Sequence, residues 1–308
     1  MDNTMKQLLP ARMTRLLSPI LLLGCALASL SVPAFAKESV LTSLPVNYWL
    51  ASDLLKHTEV EVRYLPSPRF SMSRHQAWFE AEQEAVAQAA KDAKAVVTIR
   101  SVWPQDPIFP QVRQHNIGVI QIDSAQSLLP RAQSVALVQY QQQVSPYVWL
   151  NPANLVTMLG ILSDDLQRVF PKWQTQIRHN QREIALAVQQ LILTNQQRLM
   201  AQDIESVLLL DEALIDFAAG YSLHVQGVQA KSELEWDAQD VAQIRAWIAL
   251  NPNLWIATTR PVSPKLRELL PEFSHYLQVD AVSRLGSSKS GVTIERWRIK
   301  ALEQEAAR

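Results

Sequence analysis

The stretch Val144-Ser145-Pro146-Tyr147-Val148-Trp149-Leu150-Asn151-Pro152 decides how this chain is read. Asn151 is a favoured helix N-cap, and Pro152 suits the first helical position, where its missing N–H costs nothing. A helix is therefore expected from Pro152. Leu155, Leu159, Leu162, Leu166 and Val169 recur at three and four residues and line one face of it. Pro171 stops this helix and can open another. From Lys172 to Ala201 there is neither glycine nor proline, and Ile177, Ile184, Val188, Leu191 and Ile192 keep the helical period over about 45 Å of axis. A mid-chain helix of that length, with strand-rich sequence on both sides, reads as a strut joining two lobes.

Outward from the strut, both flanks alternate strands and helices. Before it, strands are expected at Ser39–Ser43, Glu59–Leu65, Ala95–Ile99, Gly118–Asp123 and Val135–Tyr140. Helices are expected at Val46–Lys56, Gln76–Lys94 and Ile108–His115. After it come strands at Ser206–Asp211, His224–Val228, Leu254–Thr259 and Tyr276–Asp280. Helices are expected at Glu212–Ala219, Trp236–Leu250 and Pro264–Leu270, with Gly220 a C-terminal stop. The tail from Val292 to Ala307 reads as a helix docked on one lobe. Such alternation implies parallel strands with crossover helices. The fold class is α/β: two Rossmann-like lobes with parallel sheets joined by a long rigid helix. The expected boundaries are 1–36 for an export signal, 37–151 for the first lobe, 152–201 for the connecting helices and 202–308 for the second lobe.

Lys6, Arg12 and Arg15 precede the apolar run Ile20–Leu30, and Ala34-Phe35-Ala36 is a small-x-small cleavage site. The apolar run is short of the ~20 residues that span a bilayer. Leu22-Leu23-Gly24-Cys25 partly matches a lipoprotein signal, so a lipid anchor at Cys25 is the alternative. Cleavage after Ala36 removes the only cysteine, leaving neither disulfides nor thiolate ligands. An exported protein tolerates this, since an oxidising compartment permits disulfides without requiring them. The formal net charge is zero, which speaks against a nucleic-acid partner. No G-x-G-x-x-G loop, G-x-S-x-G elbow or His-Glu-x-x-His helix is present.

The central block resembles the P-H-V-W-L-D-P block of the solute-binding receptors of ABC importers for zinc and manganese. The resemblance extends over about Val40–Arg284. It implies capture without chemistry: a periplasmic, monomeric receptor takes an ion between its lobes and delivers it to a membrane permease. It also implies four ligand positions. The first, after the second strand, falls on His75 or Arg69. The second is Tyr147, where those receptors carry a histidine, with Asn151 replacing their closing aspartate. The third is Asp211, in Leu-Leu-Asp211-Glu212-Ala213 where the family reads F-H-D-A. The fourth is Asp280, closing Tyr276-Leu-Gln-Val-Asp280.

Each residue also has a plainer reading. Asp211 and Asp280 can be caps at strand ends, His75 a capping or surface residue, and Tyr147 a packing residue. A phenol with an ordinary pKa near 10 is a poor zinc or manganese ligand. One nitrogen and three oxygen donors suit manganese or iron better than zinc. The competing readings are a metal-free paralogue, acting as accessory or sensor or taking a chelate or organic solute, and a periplasmic enzyme using the cleft carboxylates.

Overall fold

The computed structural model describes residues 37–127, 133–286 and 292–303. The export signal, Cys25 and the last residues of the expected tail helix lie outside them. The first part of the chain contains β1 (Ser39–Thr42), α1 (Pro45–Leu54), β2 (Glu61–Tyr64), α2 (His75–Ala81), α3 (Gln83–Ala90), β3 (Ala93–Thr98), α4 (Ile108–His115) and β4 (Ile120–Asp123). A hairpin, β5 (Gln139–Tyr140) and β6 (Gln143–Val144), follows, then α5 (Pro152–Val169) and α6 (Gln174–Ala201). The last part contains β7 (Ser206–Leu209), α7 (Ile215–Gly220), β8 (His224–Val228), α8 (Ala238–Leu250), β9 (Leu254–Thr258), α9 (Pro264–Leu269), β10 (His275–Gln278) and β11 (Lys300–Glu303).

Two sheets result, with orders β2-β1-β3-β4 and β11-β10-β9-β7-β8, parallel throughout except for the β10–β11 pair. The alternation of side chains along each strand divides the core into layers. In the first sheet Val40, Ala95 and Val97 face inward, while Leu41 and Val96 face outward onto Phe79, Val86, Ile108 and Val112 of α2–α4. In the second sheet Val207, Leu209, Trp255, Ala257 and Leu277 face inward, while Leu208, Ile256 and Tyr276 pack on Ile244 and Leu266 of α8 and α9. The inward sides of both sheets, α1, α5 and α6 share one continuous apolar core.

The strut forms as its sequence dictates. Asn151 accepts from the Ala153 N–H and Pro152 opens α5, while Pro171 opens a 3-10 turn leading into the 28 residues of α6, about 42 Å of axis. Two asparagines fasten α6 to the two halves. Asn180 donates to the Leu54 and Lys56 carbonyls at the end of α1, at 2.8 Å each. Asn195 donates to the Trp297 carbonyl and accepts from the Ile299 N–H. Trp149 completes the joint: its indole donates to the Ala281 carbonyl, and Trp297 donates back to the Trp149 carbonyl. Buried polar groups satisfied in this way cost little and define a single packing.

Several expected elements change. The helix expected over Gln76–Lys94 breaks at Glu82, whose backbone leaves the helical region, and the third strand starts early, at Ala93. The break lets Phe79 and Val86 meet the same outer face of the sheet. The strand expected at Val135–Tyr140 is reduced to Gln139–Tyr140, one arm of a hairpin. Over its described residues, 292–303, the tail is no helix: a 3-10 turn at Ile294–Trp297 leads into β11, which runs antiparallel along β10 and covers what would otherwise be an open sheet edge.

Candidate functional site

Ligands of open parallel sheets bind beyond the carboxyl ends of the strands. In the second sheet, two acids stand there. Asp211 follows β7, accepts from the Ala213 N–H at 2.9 Å to cap the 3-10 turn Glu212–Leu214, and accepts from the Thr259 hydroxyl at 2.7 Å. Asp280 follows β10 and accepts from the Val282 N–H at 2.7 Å. Its two oxygens also receive Nε and Nη2 of Arg296, at 2.7 and 2.9 Å, a bidentate pair. The third guanidinium nitrogen, Nη1, donates to the Arg284 and Leu285 carbonyls. The next residue, Gly286, donates its N–H to the Pro68 carbonyl in the loop after β2. Asp280 and Arg296 thus hold the loop that reaches across to the first sheet.

Tyr147 stands just before α5, edge-on to Trp149 with ring centroids 5.4 Å apart. Burial, together with Asp211 and Glu212 nearby, raises its phenol above the usual pKa, so the group is a neutral hydrogen-bonding phenol. It lines a cavity of about 320 Å³ with Glu212, Ser145 and the β5–β6 hairpin.

Beside the first sheet, His75 opens α2 and is fully buried, contrary to the reading of it as a surface residue. It packs edge-on to Trp103, ring centroids 5.9 Å apart. The Phe70 backbone lies near its ring nitrogens, and neither nitrogen makes a well-formed hydrogen bond. Burial pulls its pKa down to about 4, so the imidazole is neutral. Asp106 is fully enclosed: Oδ1 accepts from Ser43 Oγ and the Ile108 N–H at 3.2 Å each, and Oδ2 has no partner. Burial pushes its pKa up to about 7. The buried hydroxyls of Tyr64 and Thr42, on neighbouring strand ends, are also unpartnered.

The structure therefore brings Tyr147 and Asp211 into electrostatic reach of one another, while Asp280 is engaged by Arg296 and His75 is enclosed in the first half. Among the described residues, no group of three or more His, Cys, Asp or Glu side chains is placed to hold a metal ion. His75, Asp211 and Asp280 are accordingly not gathered into one. The sequence reading missed Arg296 because the tail was taken for a helix, and passed over Thr259 because it closes an apolar strand. Asp106, in Trp103-Pro-Gln-Asp106-Pro107, could have been noticed as an acid directly before a proline that starts a helix.

A family model described as zinc-uptake complex component A, periplasmic (ZnuA), matches residues 40–293. No curated protein sequence matches significantly. Among solved structures, Zn(II)-bound AdcA from Streptococcus pneumoniae is 17% identical with a TM-score of 0.64, covering 82% of this chain and 53% of its own, so this chain spans about half its length. The metal-dependent lipoprotein YcdH from Bacillus subtilis is 16% identical with a TM-score of 0.64, covering 84% and 91%. A Mn-bound mutant of the periplasmic metal-binding protein from Candidatus Liberibacter asiaticus is 13% identical with a TM-score of 0.60, covering 82% and 92%. At these identities the likeness is one of fold.

Proposed function

Because this chain belongs to the family of periplasmic zinc-uptake complex component A, we propose that it is the exported capture component of an ABC-type metal importer. It would hold its cargo between the lobes and hand it to a membrane permease, without chemistry of its own. Two α/β halves, 37–151 and 202–308, would serve as jaws and 152–201 as their fixed spine. The single observation that supports this reading best is the family match over residues 40–293; the spine that Asn180 and Asn195 fasten to each half agrees with it. Such a spine suits modest closure of the jaws on a small cargo.

A second reading concerns the cargo, and one contact favours it. The carboxylate of Asp280, expected to donate to the ion, is already neutralised bidentately by Arg296. A bare zinc, manganese or iron ion held by His75, Tyr147, Asp211 and Asp280 requires Arg296 to leave and His75 to turn out of its enclosure. A cargo that needs neither, such as a chelate or an organic solute, or an accessory role with no cargo, is compatible with the arrangement as it stands. Calorimetric titration of the chelator-stripped exported protein with zinc, manganese and iron separately distinguishes the two. One tightly bound equivalent, weakened by Asp280→Ala, establishes the bare-ion receptor. No binding of any of the three assigns the chain to the second reading.

A further inference from the structure

The cavity beside Tyr147 lies between the β5–β6 hairpin, the segment Ser145–Tyr147 and the turn that follows Asp211. At about 320 Å³ it lies at the lower end of the size of small-molecule sites, ~300–1,000 Å³. Its wall is mixed. Tyr140 and Tyr147 supply aromatic surface, Gln143 an amide, Ser145 a hydroxyl and Ile215 an apolar patch, while among the described residues Glu212 is the one charged residue lining it.

The electrostatics have one sign. Asp211 and Glu212 both act on the Tyr147 hydroxyl. Behind the wall lies Asp216, fully buried, with its carboxylate directed toward Ser145 and neither oxygen in a well-formed hydrogen bond. None of these three acids has an ion-pair partner among the described residues. By contrast, Asp280 of the same half is fully paired. Of the three only Asp216 is buried without well-formed hydrogen bonds, which is costly. Asp211 is hydrogen-bonded and Glu212 is exposed, so Glu212 is the carboxylate open to a positive partner.

The nature of that partner follows from the wall. An anion would be repelled. A bare divalent metal needs several close oxygen or nitrogen donors, and a single lining carboxylate does not provide them. Aromatic faces beside a carboxylate are the arrangement that holds an alkylammonium group, through ring quadrupole and charge together. We propose that this cavity is a binding site for a small organic cation, its ammonium group held between Tyr147 and Glu212. The inference rests on the second reading of the cargo.

The test is calorimetric titration of the chelator-stripped exported protein with choline, with putrescine, and with 3,3-dimethylbutan-1-ol as the uncharged counterpart of choline. Saturable binding of choline or putrescine is expected, with the alcohol weaker by about tenfold or more, ~1.4 kcal/mol. Glu212 is exposed, so Glu212→Gln should fold normally and weaken the amine by a similar factor. Tyr147→Phe should retain binding and Tyr147→Leu should lose it, with thermal melting checking that each variant is folded. No saturable binding of either amine at millimolar concentration overturns the inference, as does equal binding of the alcohol or indifference to Glu212→Gln. The metal titration is read separately. Tight bare-metal uptake through Asp280 would refute the second reading, whereas failure of the amines alone refutes only this inference.

Discussion

The two sheets treat polar groups at their strand ends in opposite ways. In the second half, Asp211 and Asp280 are saturated by their own surroundings: a backbone N–H each, then Thr259 for one and Arg296 for the other. In the first half, the His75 ring nitrogens, Asp106 Oδ2 and the Tyr64 and Thr42 hydroxyls are buried without a well-formed hydrogen bond. Leaving a buried polar group unsatisfied costs about 1–3 kcal/mol. The burden thus falls on strand-end groups in the first half, whereas in the second it falls on Asp216 and the Tyr276 hydroxyl, away from the strand-end acids. The acids expected to receive a ligand are instead holding loops in place, and of the groups short of partners in the first half only His75 stands at an expected ligand position.

The contrast is broken most strongly by removing the buried charge of the first half. Folding lifts the Asp106 pKa from an ordinary 3.8 to about 7. Between those values the folded protein holds a proton that the unfolded chain has released, so this group makes stability fall as pH rises through the window. His75 works oppositely. With its pKa pulled from 6.5 down to about 4, it makes stability fall as pH drops from 6.5 toward 4. Asp106→Asn removes only the first effect. Its advantage over the parent protein should grow from pH 4 to 7, at up to ~1.4 kcal/mol per pH unit, and then level off a few kcal/mol above its acid value. Urea denaturation across pH reads this, and a difference curve that stays flat would contradict the enclosed acid.

In the second half the same kind of change should cost stability. Arg296→Ala strips Asp280 of its bidentate partner and releases the Arg284 and Leu285 carbonyls. We expect a loss of about 2 kcal/mol, less than for a fully buried pair because Asp280 is partly exposed. A double-mutant cycle with Asp280→Ala assigns the share that belongs to the pair, and coupling near zero would show the contact to be incidental. The smallest effect sharpens the comparison further. Thr259→Val keeps the shape of the side chain but removes one hydroxyl from Asp211, which retains its Ala213 N–H. A loss of about 1 kcal/mol is expected, read from the shift in denaturation midpoint, and no shift would mean that water replaces the hydroxyl at no cost.

The legible features were those written in local chemistry. Asn151 and Pro152 start α5 where their types demand, Ile108–His115 is the helix its pattern describes, and Pro264 opens α9. Gly220 was legible only in part. It does end α7, but a Cβ there would meet Pro152 Cδ at 2.5 Å and Asn151 Cα at 2.9 Å, so the glycine is required by the close approach of α7 to the start of α5 rather than by the stop alone. The failures had two causes. β11 forms by pairing with β10, a strand that ends at Gln278, and the break at Glu82 sets Phe79 and Val86 on the sheet, neither of which a local window weighs. The β5–β6 hairpin is local, but it turns through Gln141 and Gln142 at positive φ without the glycine or asparagine that signals such a turn.

The sequence by itself determined the α/β class, the central spine with its caps, and the strand-end positions of Asp211 and Asp280, because helix period, proline placement and strand hydrophobicity act over a few residues. Tertiary structure alone decided what those acids do. Arg296 lies 16 residues beyond Asp280 and Thr259 lies 48 beyond Asp211, and a carboxylate's role depends on which charge or donor folding brings to it. Whether His75 is exposed or enclosed was settled in the same way, by Trp103 and the loops packed around it.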